Sequence, residues 1–276
     1  MKGKRLSVPE LEALSREVRA RVLRIIYEAG SGHPGGSLSS VDIMLTLYFH
    51  EMNHDPSDPK WSERDRFILS KGHAVPALYT VLAKAGYIPE ANLDTLRLFG
   101  SPLQGHPDAL KVPGIEVSSG SLGNGLSVAS GIAAAAKLDG KKAKVFCLLG
   151  DGECDEGLVW EAAMLAPHLG LSNLTAIVDR NMLQIDGCTE DVVCLDPLPD
   201  KWRAFNWNVV EADGHDYVQL MAAFKKAREY KEGPTVIVAR TVKGKGVSFM
   251  EGVASFHGKP PSKEQLDQAL KELEAH

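Results

Sequence analysis

The chain has 276 residues, 44% hydrophobic and 24% charged, ordinary proportions for a folded protein and a length that suits one large α/β domain or two small ones. Its net charge of −5 argues against a general nucleic-acid surface, which would favour an excess of Lys and Arg. No apolar run approaches the roughly 20 residues needed to span a bilayer, and Met1-Lys2-Gly3-Lys4-Arg5 leads into a charged amphipathic segment with no apolar signal core, so a cytoplasmic protein is expected.

In chain order, Leu11, Leu14, Val18, Val22, Ile25 and Ile26 recur at helical steps and predict a helix over 9–29, started by Ser7 or Pro9 and stopped by Gly30. A Gly/Pro-rich loop follows, then a helix from Ser39 to Glu51, a short strand Arg66–Ser70, a helix Pro76–Ala85 and an irregular stretch through Pro113. Gly120–Leu138 opens with glycines and becomes Ala-rich, as suits a helix packed closely on a sheet. Strand 144–149, helix 156–169, strand 174–179, strand Trp207–Glu211, helix 216–230 and strand Thr235–Arg240 then alternate, with a terminal amphipathic helix over 263–274. Strand–helix alternation predicts an α/β fold with a doubly wound, mainly parallel sheet and helices on both faces. With no repeat or clear linker, one domain over 1–276 is the simplest organisation.

Leu148-Leu149-Gly150-Asp151-Gly152-Glu153 is the most informative run, because Asn181 follows Asp151 by thirty positions (181 − 151). Each polar group lies just past the carboxyl end of an expected buried strand, where open α/β sheets bind ligands. A carboxylate and an amide oxygen so placed can hold a hard divalent cation that takes its other ligands from phosphate and water. Gly152 has no Cβ to keep a phosphate from the backbone. Alone, Gly-Asp-Gly is an ordinary turn; the flanking strands give it weight.

Four histidines are each flanked by Gly or Pro and are therefore expected on loops: His33, His73, His106 and His257. Imidazoles there can donate to phosphate, bind hydroxyls or shuttle protons. Gly120-Ser121-Leu122-Gly123-Asn124-Gly125 fits neither the dinucleotide nor the Walker pattern, but offers backbone N–H groups at the positive end of a helix. Thr241-Val242-Lys243-Gly244-Lys245-Gly246 is either a ligand-facing basic loop or a solvated turn. Cys147, Cys154, Cys188 and Cys194 show no zinc spacing; Cys147 is expected in the core, and Cys154, beside the metal turn, is either a spectator or a reactive thiol.

Taken together, Ser31–Gly36, Lys71–His73, Gly105–Pro107, Gly120–Gly125, Gly150–Gly157, Asn181–Gly187 and His257-Gly258 resemble the transketolase family of thiamine diphosphate enzymes. The resemblance implies that Asp151, the Asn181 side chain and the Leu183 carbonyl coordinate Mg²⁺, or Ca²⁺ or Mn²⁺ in its place. It implies that Gly152 and His73 contact the diphosphate, that Gly120, Ser121 and Leu122 lie along the cofactor, and that Ile185 packs on the thiazolium. His33, His106 and His257 would surround the reacting carbons, with His257 also reaching the diphosphate. Glu156 matches a carboxylate of a subunit-bridging acid network beside the cofactor. Family chains are more than twice as long. The pyrimidine-binding and C-terminal domains, with the glutamate that protonates the aminopyrimidine and the arginines for a sugar phosphate, would have to come from a second polypeptide. The resemblance thus implies the N-terminal subunit of a split transketolase, working in an α2β2 assembly that moves a two-carbon ketol unit between sugar phosphates, with no nucleic-acid or membrane partner. A 2-oxoacid-dependent synthase or dehydrogenase component, or a non-catalytic cofactor-binding module, are the alternatives.

Overall fold

A computed structural model describes residues 5–275; residues 1–4 of the charged leader, and His276, lie outside them. The helices in chain order are α1 (Val8–Ala29), α2 (Pro34–Thr46), α3 (Val75–Ala85), α4 (Asn124–Leu138), α5 (Gly157–His168), α6 (Thr189–Val192), α7 (Leu198–Ala204), α8 (Tyr217–Glu229) and α9 (Lys263–Ala275). The strands are β1 (Arg66–Leu69), β2 (Val145–Gly150), β3 (Leu174–Arg180), β4 (Leu183–Gln184), β5 (Gly187–Cys188), β6 (Asn208–Asp213) and β7 (Thr235–Arg240).

Five strands form one sheet in the order β1-β2-β3-β7-β6, and every neighbouring pair is parallel. Parallel strands need covered faces, because their crossover helices lie on both sides. The side-chain period of two then divides β2 between two cores. Phe146 and Leu148 join α1, α2, α3, α8 and α9, whereas Val145, Cys147 and Leu149 face α4, α5 and α7. This is why 145–149 reads as an unbroken apolar run.

Local signals explain the helix ends. Glu10 accepts a hydrogen bond from the Ser7 backbone N–H (2.8 Å), satisfying a donor that the first turn of α1 leaves open. Gly30 ends the helix in the left-handed conformation (φ 58°).

Two expectations need correcting. α2 starts at Pro34, five residues earlier than Ser39 (39 − 34). Proline suits a first helical position, and the two glycines after it answer to packing. A Cβ on Gly35 would lie 3.0 Å from both the Lys243 side chain and the Phe256 carbonyl oxygen. The Asn181–Cys188 segment also carries a small antiparallel hairpin, β4–β5, that was not expected. It joins through Ile185-Asp186 and holds the backbone that follows Asn181.

Candidate functional site

Asp151 is the first residue past β2, and Asn181 the first past β3; both are buried. Parallel pairing sets Gly150 beside Asp179 and so brings the two strand tips together. Asp151 accepts hydrogen bonds from the backbone N–H of Gly152 (2.8 Å) and of Met182 (2.6 Å). Burial, reinforced by the negative charge of Asp179, pushes its carboxyl up to about 6. A carboxylate in that setting gains by meeting a cation. The Asn181 Oδ1 accepts from the Leu183 N–H at 3.2 Å, while the Leu183 carbonyl accepts from Lys243 Nζ at 2.9 Å.

Among the described residues, no group of three His, Cys, Asp or Glu side chains is placed to hold a metal. The set on offer is one carboxylate, one amide and one backbone carbonyl. That set fits a hard ion completing its shell with phosphate oxygens and water, and does not fit a closed transition-metal centre. Gly152 keeps the approach open: a Cβ there would lie 2.8 Å from the Gln184 side chain.

These groups line a cavity of about 200 Å³ at the carboxyl edge of the sheet, together with Leu122, Ile185, His73 and His257. Ile185 is 68% exposed on the two-residue hairpin loop, an apolar side chain left at the cavity. The imidazoles form one cluster. His33 lies 5.2 Å from His73, 5.5 Å from His257 and 6.5 Å from His106, centroid to centroid, and His73 lies 5.0 Å from His257. His33 and His106 are on loops as expected, the former just before α2; His73 and His257 instead occupy single 3-10 turns.

Burial and the neighbouring cations favour the neutral form throughout the cluster. Burial, with Arg97, His106 and Lys243 nearby, lowers His33 to about 4; burial and Lys243 lower His257 to about 3. His73 is held well below its ordinary value by burial and Lys71, and His106 is lowered by burial and Arg97. Lys243 Nζ lies 3.0 Å from His257 Nδ1; an ammonium donating there leaves the ring proton on Nε2. Neutral imidazoles can both donate to and accept from hydroxyl groups.

The other expected residues lie around this cavity in different ways. Gly120 packs beneath His106, where a Cβ would come within 2.9 Å of the ring. Ser121 is exposed. Glu156 is an exposed residue at the N-cap of α5, outside the cavity lining. The glycine run does not present all its N–H groups to a ligand, as the sequence suggested. Gly123 N–H donates to the buried Glu153 carboxylate (2.9 Å), which also accepts from Gly150 N–H (2.9 Å) and Ser70. The basic loop divides: Lys243 is buried in the cavity wall, while Lys245 turns outward to Glu251 (3.5 Å). Cys154 is fully buried and burial drives its thiol well above the ordinary value, so it is a spectator and not a reactive thiol.

Sequence reasoning missed Lys71 and Asp179 as site-building residues and left Lys243 open between a ligand-facing loop and a solvated turn. Lys71, almost wholly buried, donates to Asp179 and to the Gly36 carbonyl (3.1 Å). Asp179 also accepts from Ser39 (2.7 Å), Ser40 (3.2 Å) and Thr241. Burial alone would raise the Asp179 carboxyl; Lys71 overrides it and holds the carboxyl below its usual range. The available signal was an Asp directly after the apolar run Ala176-Ile177-Val178 of a strand, where only a paired charge is tolerated.

A family model for the thiamine diphosphate binding domain of transketolase matches residues 12–275. The chain belongs to the transketolase family. A subunit of an apulose-4-phosphate transketolase from Phocaeicola vulgatus is 45% identical over 268 residues, covering 97% of this chain and 95% of that one. A 6-deoxy-6-sulfo-D-fructose transketolase subunit of a Clostridium species is 43% identical over 265 residues, 96% of each chain. Human transketolase is 41% identical over 264 residues, but these are only 42% of its length. The crystal structure of Campylobacter jejuni transketolase superposes with a TM-score of 0.92 at 30% identity, over 98% of this chain and 43% of that one. The chain thus spans less than half the length of these longer transketolases. It corresponds to their thiamine diphosphate-binding part and, over nearly its whole length, to the two relatives that are themselves single subunits of a transketolase. It is an N-terminal transketolase subunit.

Proposed function

We propose that this chain is a single diphosphate-binding domain. With a complementary subunit, it transfers a two-carbon ketol unit from a ketose phosphate to an aldose phosphate. The observation that carries this reading is the meeting of Asp151, Asn181 and the Leu183 carbonyl with His73, His257 and Lys243 around one cavity. Bound thiamine diphosphate would supply the nucleophilic carbon that accepts the ketol unit. Asp151, Asn181 Oδ1 and the Leu183 carbonyl would hold Mg²⁺; Gly152, His73 and Lys243 would meet the diphosphate, releasing the present Lys243 contact to Leu183. Gly120, Ser121, Leu122 and Ile185 would border the rest of the cofactor. His33, His106 and His257, kept neutral, would hydrogen-bond sugar hydroxyls and pass protons among them.

Two relatives are named for anionic sugars, one a phosphate and one a sulfo sugar, which favours an anionic substrate here. The complementary subunit would carry the pyrimidine-binding and C-terminal parts in an α2β2 assembly. Exposed apolar side chains suit that role: Phe99 and Leu110 on loops, and Met164 and Leu165 on α5. Glu156, exposed at the start of α5, would join the acid network between subunits. Four free thiols suit a reducing, cytoplasmic setting.

The test is co-purification with the complementary subunit, followed by an assay of ketol transfer from a ketose phosphate. Activity is expected only with both chains, thiamine diphosphate and Mg²⁺. A monomeric chain fully active alone, or a pair active only in pyruvate-dependent carboligation, would contradict the proposal.

A further inference from the structure

Met182 stands between Asn181 and Leu183 with a left-handed backbone (φ 66°), a conformation that costs a non-glycine residue about 1–2 kcal/mol. Such a residue persists only where its surroundings over-determine it. Here both of its peptide groups are tied down. Its N–H donates to Asp151 Oδ2 (2.6 Å), and its carbonyl accepts from the Thr189 N–H (2.9 Å). The turn so fixed carries the chain from Asn181 to Leu183, which both line the cavity.

Arg180, the last residue of β3, completes this arrangement. Its side chain is buried and donates to Thr189 Oγ1 (2.9 Å), Glu190 Oε1 (2.7 Å) and Asp196 Oδ1 (3.0 Å), while Nη1 lies 3.7 Å from Asp151 Oδ2. Thr189 is thus bound through its backbone to Met182 and through its side chain to Arg180. Asp151 Oδ2 also meets both, so that Arg180, Thr189, Met182 and Asp151 form a closed ring of contacts. A buried guanidinium among carboxylates is costly to assemble, and the main sheet does not require it: all four of these partners lie outside the five strands. By charge alone, a cation 3.7 Å from Asp151 opposes a divalent ion there. Glu190 and Asp196 offset that charge, and what the side chain then contributes is geometry.

We propose that Arg180 is a positioning residue for the divalent ion. By clamping Thr189 it holds the Met182 turn, and so sets the spacing of the Asp151 carboxylate, Asn181 Oδ1 and the Leu183 carbonyl. The proposal rests on reading those three groups as the ion's ligands; Arg180 itself touches neither ion nor cofactor. Mg²⁺ needs near-ideal octahedral geometry with ligands at roughly 2.0–2.1 Å, whereas Ca²⁺ accepts irregular shells at roughly 2.3–2.6 Å. A residue that fixes spacing therefore matters more for Mg²⁺ than for Ca²⁺. A residue that acted only through its charge would affect two divalent ions alike, and its removal would tighten both.

The experiment has two arms. The first is calorimetry of thiamine diphosphate binding to the chain with its complementary subunit, in Mg²⁺ and in Ca²⁺. For Arg180→Met the dissociation constant should rise about 10- to 100-fold in Mg²⁺, the range that loss of charge-assisted hydrogen bonds implies, and by a smaller factor in Ca²⁺. Arg180→Lys keeps the charge but not the planar fork, and should restore only part of the Mg²⁺ affinity. Glu190→Gln, on a partly exposed side chain outside the cavity lining, should shift the Mg²⁺/Ca²⁺ ratio in the same direction, and it decides the matter if Arg180→Met does not fold. Ion-dependent binding by the parent with an unchanged ratio in the variants, or tighter binding in them, would overturn the positioning role alone; parent binding indifferent to the ion would overturn the ligand reading with it. The second arm follows amide hydrogen exchange in the full chain alone, without cofactor. The Met182 and Thr189 amides should exchange about 10-fold faster in Arg180→Met, as loss of one charge-assisted hydrogen bond implies, while those of β2 and β7 stay as in the parent. That outcome is independent of ketol transfer, and unchanged exchange at Met182 and Thr189 would overturn the clamp.

Discussion

Asp151→Asn should abolish magnesium-dependent uptake of thiamine diphosphate while lowering the stability of the empty protein by no more than about 1–3 kcal/mol. Asparagine keeps the shape but only one acceptor oxygen: the Gly152 N–H goes to Oδ1 and the Met182 N–H to Oδ2, so one of the two is left facing the amide nitrogen. It also removes the charge. At an effective dielectric of about 20, even two unit charges roughly 4 Å apart attract by about 4 kcal/mol, near three orders of magnitude in affinity. A divalent ion loses at least as much. In the unliganded chain two effects oppose each other: burial and Asp179 work against the ionised form of Asp151, so losing the charge is a relief, while the hydrogen bond lost with one oxygen is a cost. Calorimetry and a melting curve on the same sample separate the effects. Retained affinity, or a large drop in melting temperature, would mean that Asp151 is a structural group and not a ligand.

Asp42→Ala should strongly destabilise the fold. Asp42 on α2 pairs with Arg19 of α1 at 2.5 and 3.1 Å, and accepts from Tyr217 (2.8 Å) and His215 (2.7 Å). His215 Nε2 in turn accepts the Val242 N–H (2.9 Å), one residue before Lys243. Truncation leaves the buried Arg19 uncompensated and releases the loop that aims Lys243. Breaking such a pair costs about 3–5 kcal/mol, roughly 5–9 °C in melting temperature for a chain of 276 residues that unfolds with about 2.1 cal/mol/K per residue. The same carboxylate shapes the acid limb of stability. Burial would raise its pKa, but Arg19 and His215 dominate and hold it far below the usual carboxylate range. A depressed native pKa gives stability that is present above about pH 4 and lost as pH falls below it. The variant should therefore show a shallower acid transition. A melting temperature within a degree or two of the parent would count against this network.

The sheet was legible because its strands are short apolar runs bounded by turn residues, and the helices between them carry clear 3.6-residue stripes. Strand ends fell within two residues of their sequence positions, as with 144–149 against Val145–Gly150. What failed did so where glycine has two meanings. Gly35-Gly36 reads as a loop, yet forms the first turn of α2, because Lys243 and Phe256 press against it from a segment more than 200 residues away. Gly123 reads as a ligand-facing amide, yet serves Glu153. Local pattern cannot reveal a neighbour supplied by tertiary packing. The same limit hid the Lys71–Asp179 pair, whose members are 108 residues apart. Asp151, Asn181 and the histidines were legible because glycine-flanked polar residues at strand tips have few structural uses.

Calorimetric titration of thiamine diphosphate into this chain, with its complementary subunit present, probes the proposed cradle most directly. Saturable binding of one coenzyme per chain, requiring Mg²⁺ and abolished by a chelator, is the expected result. Absence of binding with Mg²⁺ supplied, or binding indifferent to the chelator, would contradict a metal-bridged diphosphate held at the tips of β2 and β3.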